Sequence, residues 1–118
     1  MHMDKRHNSI NYIEFPTIDV EKTKQFYASV FGWTFTDWGP DYISFSGAGI
    51  DGGFNGTGQS QIQSPGVLIV LYADDLQQKA DDISAAGAKI CKPIYDFPGG
   101  QRFHFLDPNG NELAVWSE

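Results

Sequence analysis

Three residues with the types needed for proton transfer or metal binding stand close together in RFHFLDPNGNELAVW, the stretch from Arg102 to Trp116: Arg102 itself, His104 and Glu112. A second carboxylate, Glu14, lies in YIEF near the start of the chain. Two carboxylates and an imidazole suit acid–base work, with Glu14 or Glu112 as general base and His104 as acid once burial moves their proton affinities toward neutrality. The same three could instead hold Zn, Mn, Fe or Ni and leave a coordination position open. Arg102 differs in kind, because its planar guanidinium can grip a carboxylate or phosphate through two parallel hydrogen bonds. Tyr12, Trp38, Tyr42, Tyr72 and Trp116 offer flat rings that could wall an aromatic or cationic guest. Each residue also has a plainer reading. His104 could be hydrogen-bonded to a cross-strand carboxylate, Glu112 solvated after a turn, Arg102 salt-bridged to Glu112 or another hairpin neighbour, and the rings packed in a core or dimer interface.

These residues need elements to position them. Asp107-Pro108-Asn109-Gly110 sets proline where a turn wants φ near −65° and glycine where φ above zero is needed, so a hairpin forms. Side chains alternate along strands, which puts Phe103, Phe105, Leu113 and Val115 on one face. Arg102, His104, Glu112, Ala114 and Trp116 then share the other. Near the start, Ile10 to Phe15 alternates as a strand, with Ile13 and Phe15 opposite Tyr12 and Glu14. Asp19 is placed to cap a helix that runs from Val20 and stops at Gly32, with Val20, Thr23, Phe26, Tyr27 and Val30 forming its apolar stripe. Period-two patterning from Trp33 to Phe54 predicts three short strands, broken at Gly39-Pro40-Asp41 and Gly47-Ala48-Gly49.

The order then recurs. Val67 to Tyr72 reads as a strand, Asp74-Asp75 caps a helix with the stripe Leu76, Ala80 and Ile83, Gly87 ends it, and Ala88 to Ile94 is a strand leading through Pro98-Gly99-Gly100 into the hairpin. Gly32 recurs as Gly87, and Asp19 as Asp75 one residue out of step. The fold expected is therefore α+β: two βαβββ modules forming a curved mixed-sheet cup, with the helices on the convex side. One helix cannot cover both faces of a sheet, so each module leaves a face bare for the hollow. We place module 1 at about residues 10–54, a connector at 55–66 and module 2 at about 67–117, together one domain over 10–117.

Composition removes several function classes. A chain of 118 residues with 41% hydrophobic content should bury about 65% of its unfolded surface as one unit. A net charge of −7 repels phosphate backbones and anionic lipid, which argues against nucleic acid and membrane surfaces as partners. The longest apolar run, Val67 to Ala73, is far short of the roughly 18 residues a membrane span needs. No signal sequence opens the chain, and a cytoplasmic location is expected. Cys91 is the sole cysteine, so no internal disulfide is possible, and its strand context predicts a buried, inert thiol. Residues 1–9, with His2 and His7, read as a frayed or appended terminus outside any site.

The runs INYIEFPTIDVEKTKQFYASVFGW, with Asp19, Phe26-Tyr27 and Phe31-Gly32-Trp33, and FHFLDPNGNEL resemble the vicinal oxygen chelate superfamily of glyoxalase I, bleomycin-resistance proteins and extradiol dioxygenases. The resemblance spans Ile10 to Trp116. It implies paired βαβββ modules forming a cup and a homodimer. In the enzymes it also implies a divalent metal held from the first and last strand of each module, typically by His or Gln early and Glu late. Here the early positions fall on Tyr12 and on Leu68 or Val67. The late ones fall on Ala114, two residues beyond Glu112, and near Asp51 to Phe54, where Asp51 alone offers a ligand. Leucine, valine and alanine have no donor atom for a cation. The expectation is a homodimeric binding protein that holds a small organic molecule without a cofactor, through Tyr12, Trp38, Tyr72, Arg102 and Trp116. The alternative is a glyoxalase-like lyase or isomerase, or an extradiol-type dioxygenase, using Glu14, His104 and Glu112 around a divalent metal or as acid and base.

Overall fold

Asp19 and Gly32 bracket the first helix as their chemistry requires. The Asp19 carboxylate accepts from the Lys22 backbone N–H at 2.9 Å, satisfying a donor the first turn leaves open. At the other end Gly32 has φ 73°, where a side chain would cost about 1 kcal/mol or more, and its N–H closes on the Ala28 carbonyl. Thr23, Phe26, Tyr27 and Val30 face inward between these caps.

The computed structural model describes residues 6–63 and 66–118. The expectations for residues 1–5, His2 among them, and for Ser64 and Pro65 of the connector lie outside the described residues. The chain divides into two compact units, Met1–Ile62 and Gln63–Glu118. Unit 1 holds β1 (Tyr12–Pro16), α1 (Val20–Phe31), β2 (Thr34–Asp37), β3 (Tyr42–Ser46) and β4 (Asp51–Asn55) in sheet order β1-β4-β3-β2. Unit 2 holds β5 (Ile69–Tyr72), α2 (Leu76–Ala85), β6 (Lys89–Phe97), β7 (Gly100–Leu106) and β8 (Glu112–Ser117) in order β5-β8-β7-β6. In each sheet the first strand runs parallel to the last and the remaining pairs are antiparallel. The α+β class and the doubled strand–helix–three-strand order are thus as the sequence predicts.

The two cores use different chemistry. Unit 1 is aromatic: Tyr27 of α1 stacks on Trp33 at 4.7 Å and packs on Phe54 at 5.0 Å, and Trp33 stacks on Phe45 at 4.6 Å. Gly52 makes this possible, since a Cβ there would run into the Phe45 ring and the Ile13 carbonyl. Unit 2 buries Phe103, Phe105, Leu113 and Val115 completely beneath Ile83 of α2. Full burial of each such side chain contributes about 1.5–3 kcal/mol before entropy is charged against it. The β7–β8 turn is held by Asp107, whose buried carboxylate accepts from the N–H groups of Asn109 and Asn111, both at 2.9 Å, while Gly110 takes φ 96°.

Four boundaries and one burial differ from expectation. β1 starts at Tyr12, because its partner β4 begins at Asp51 and Ile10 has nothing to pair with. β5 starts at Ile69, since the register would set Val67 beside Asn111, already in the turn. α2 ends at Ala85, one residue sooner than the glycine signal implies, with Ala86 as its cap and Gly87 at φ 89°. β6 continues past Ile94 to Phe97 because β7 is there to pair with it. Cys91 is exposed, not buried: it lies on β6, the edge of its sheet, where the ladder is irregular between Ile90 and Lys92. Among the described residues no helix is long and apolar enough to cross a membrane.

Candidate functional site

Each sheet has one face packed by its helix and one face without a helix. In unit 1 the uncovered face carries Tyr12, Glu14, Tyr42, Ser44, Gly53 and Asn55, because their neighbours Phe15, Ile43, Phe45 and Phe54 point to the core. Their hydrogen bonds have a forced direction. Tyr42 donates its one hydroxyl proton to Glu14 Oε1 at 2.9 Å, so Tyr12 must donate to Tyr42 at 2.5 Å. The second Glu14 oxygen accepts from Asn55 Nδ2 at 3.2 Å. Burial first, then the bonds to Tyr12 and Glu14, raise the proton affinity of Tyr42 far above that of an ordinary tyrosine, so its phenol stays neutral. Gly53 lies beneath both hydroxyls, and a Cβ on it would come within 2.6 Å of Tyr12 Oη. Beside this cluster a groove of about 490 Å³ is lined by Tyr12, Thr36, Trp38, Ser44, Ser46 and Asp51. Trp38 is 65% exposed and donates its indole N–H to Ser44 Oγ at 2.8 Å.

In unit 2 the uncovered face carries Arg102, His104, Glu112 and Trp116, as alternation along the hairpin requires, and Tyr95 joins them from β6. An unbroken ladder extended from the Ile90–Phe105 pair would set Tyr95 beside Gly100. Two register shifts insert two extra residues into β6 and bring Tyr95 opposite Arg102 instead, and Lys92 opposite His104. His104 is 7% exposed and uses both ring nitrogens, Nδ1 toward Glu112 Oε2 at 2.8 Å and Nε2 toward Tyr95 Oη at 2.9 Å. Ala114, directly across from His104, leaves room for Glu112 to reach it diagonally. Arg102 donates Nε–H to Tyr95 Oη and lies over the Phe97 ring at 5.4 Å. Glu112 is committed to His104, so the plain reading of an Arg102–Glu112 salt bridge does not hold. Tyr72 meets Trp116 edge to face at 5.1 Å, and Phe97 meets Trp116 likewise at 6.1 Å. The result is an aromatic row ending at a guanidinium.

Of the residues singled out from sequence, Arg102, His104, Glu112, Trp116 and Tyr72 gather on this face of unit 2. Tyr12, Glu14 and Trp38 gather on the open face of unit 1. Tyr95, Phe97, Lys92 and Asn55 are the participants that sequence reasoning missed. Asn55 carries a legible signal, standing one residue beyond a core phenylalanine in a short strand. The β6 residues depend on bulges that no local pattern announces.

The donor chemistry does not fit the metal cage that the resemblance implies. Ala114 and the pair Val67 and Leu68 have no donor atoms, Tyr12 is hydrogen-bonded to Tyr42, and both nitrogens of His104 are already engaged. Among the described residues no group of three or more His, Cys, Asp or Glu side chains is arranged to hold a cation. Cys91 is held protonated by partial desolvation first and the Glu112 carboxylate second, both of which raise its proton affinity. The thiol is exposed, so this partial desolvation takes the place of the full burial predicted.

Comparison with known proteins places these modules. The sequence pattern of the "Glyoxalase/Bleomycin resistance protein/Dioxygenase superfamily" matches residues 9–115. CFP32 of Mycobacterium tuberculosis, named as a candidate glyoxylase, is 25% identical over 94% of this chain. The chain spans 46% of the length of that relative. Among solved structures, a glyoxalase-related enzyme from Fulvimarina pelagi is 19% identical with a TM-score of 0.79, covering 94% of this chain and 88% of its own. A lactoylglutathione lyase from Agrobacterium tumefaciens is 18% identical with a TM-score of 0.71, covering 96% of each chain. At these identities the structural likeness establishes the fold.

Proposed function

The chain belongs to the glyoxalase/bleomycin resistance protein/dioxygenase superfamily, and from that premise we propose that it binds a small organic acid with a flat apolar body, without a metal, on the open face of unit 2. One observation carries this reading. Arg102 is half-buried beside Trp116 and Phe97, with Tyr72 on the far side of Trp116, and among the described residues of its unit no carboxylate stands at ion-pair distance from it. A guanidinium has five N–H donors, and only Nε–H is committed to Tyr95. The remaining fork suits a carboxylate, and the ring row suits a flat body beside it.

Calorimetric titration with benzoate and naphthoate, each set against its neutral amide, tests the proposal. The acids should bind and the amides should not. Arg102→Gln should weaken the acids about tenfold or more, as expected for a hydrogen bond to a charged group. Equal binding of acid and amide, or binding of neither, would overturn it.

The competing reading is a metal-dependent lyase or dioxygenase built on Glu14, His104 and Glu112. It requires His104 to give up one of its two partners. One tightly held divalent ion per chain, in protein purified without chelator, would establish that reading over ours. Self-association belongs to the same proposal, supported by the exposed apolar side chains of Ile18, Val67 and Val70. Sedimentation equilibrium should report a dimer.

A further inference from the structure

Arginine can only donate hydrogen bonds and an ionised carboxylate can only accept them, so the chain Arg102–Tyr95–His104–Glu112 has a readable polarity. Glu112 receives the Nδ1 proton of His104, and in that tautomer of the uncharged ring Nε2 is the acceptor. Tyr95 must then donate its hydroxyl proton to that Nε2, while its own lone pair receives Arg102 Nε–H. The phenol thus has a base behind it, a carboxylate behind the base, and a fixed cation against its oxygen. Lys92 adds a second cation, with Nζ 4.4 Å from the centre of the Tyr95 ring. This is the nucleophile–base–orienter relation that activates hydroxyl groups in enzymes, with a phenol in the leading place.

The geometry points to Tyr95 as a catalytic proton-transfer residue, with His104 and Glu112 as the positioning pair behind it, acting on an enolisable oxo acid whose carboxylate sits on the free fork of Arg102. The inference rests on the organic-acid reading of this face for its substrate class, but the activation of Tyr95 rests on unit 2 alone. In the step, the Tyr95 O–H bond breaks and its proton passes to His104 Nε2, forming an imidazolium held by Glu112. The phenolate oxygen, stabilised by Arg102, then takes the proton from the substrate carbon beside the carbonyl. The C–H pair moves into the enolate, and the charge that develops lies near the guanidinium. Return of that proton from Tyr95 to the enolate oxygen, with His104 then giving its own proton back to the phenolate, completes a keto–enol tautomerisation that needs no oxidant, reductant or metal. General acid–base catalysis of this type contributes about 100- to 10,000-fold to a rate.

Two aryl sulfonyl fluorides test the phenol and the substrate class separately. Tyrosine oxygen attacks sulfur, an O–S bond forms, the S–F bond breaks, fluoride leaves, and the Tyr95 proton goes to His104. With benzenesulfonyl fluoride, which carries no acid, peptide mapping by mass spectrometry should show Tyr95 modified at least about tenfold faster than the more exposed Tyr72, because His104 stands behind its hydroxyl as a base and a positioned base contributes about 100-fold or more. His104→Gln should bring the two rates together. Glu112→Gln, which keeps an acceptor for Nδ1 but removes its charge, should give an intermediate rate and guards against a folding defect in the first variant. Para-carboxybenzenesulfonyl fluoride should be faster again at Tyr95, and Arg102→Gln should remove that additional gain. If Tyr95 reacts no faster than Tyr72 with either reagent, the inference is overturned. If Tyr95 is fast but the carboxylate brings no gain, the acid-binding reading fails and the activated phenol stands.

Discussion

The open faces of the two units are built from similar parts and arranged to opposite effect. Unit 1 sets a phenol directly on a carboxylate: Tyr42 donates to Glu14, Tyr12 donates to Tyr42, and Asn55 occupies the other Glu14 oxygen. Both Glu14 oxygens are filled from within that cluster, Asn55 turns its own oxygen to Thr57, and the Tyr42 proton is held where it is. Unit 2 inserts an imidazole between carboxylate and phenol and places Arg102 against the phenol oxygen. A base within reach and a fixed positive charge are what a phenol needs to give up its proton, whereas a lone carboxylate neighbour penalises the phenolate by like-charge repulsion. The same fold thus presents one face that keeps its protons and one that can move them.

The difference can be broken most severely from beneath. Phe103→Ala removes a fully buried ring directly under the unit 2 face and should cost about 3–5 kcal/mol, read from urea denaturation. The counterpart in unit 1 is Gly53→Val. Its side chain would push into the Tyr12 and Tyr42 hydroxyls and should cost about 1–3 kcal/mol by the same measurement, with the tyrosine near-ultraviolet dichroism reduced. A Gly53→Val protein as stable as the parent would show that the tyrosine pair is loosely held.

A smaller effect separates the phenols by pH. Tyr42 binds its proton more tightly in the folded state than in the unfolded chain, whose value is near 10.0. The resulting stability is fully present below that pH and falls as pH rises above it toward the raised folded value. Tyr42→Phe should lose about 1 kcal/mol at neutral pH and show a flatter decline between pH 9 and 11, by denaturant midpoint. A parallel decline in both proteins would assign the alkaline loss to other groups. The smallest expected change is at Cys91. Iodoacetamide should react with it more slowly than with a free thiol, and Glu112→Gln should speed the reaction by less than about tenfold, because only the second of its two causes is removed.

Much of this was legible in the chain. Asp19, Gly32, Asp75 and Gly87 announce two helices through cap chemistry, and alternation around Asp107 to Gly110 sorts the hairpin into a core face and a polar face. These signals are local: a cap or a turn satisfies backbone groups a few residues away, and a period-two pattern is set by the pleat of a single strand. That is why Arg102, His104, Glu112 and Trp116 could be assigned to one face from sequence alone.

What the sequence could not assign were relations set across strands. Arg102 stands opposite Trp116, four positions along β8 from Glu112, whereas His104 stands opposite Ala114, two positions away, so the hairpin register gives Glu112 to His104. Tyr95 reaches Arg102 only because β6 accommodates two extra residues against β7. Register is a property of two strands and of the core they share, so it is decided when the sheet closes and the hydrophobic faces align. The sequence by itself determined the duplicated strand–helix pattern and which residues look away from the core. The packed sheets decided which of those residues meet, and so which face can hold a proton and which can pass one on.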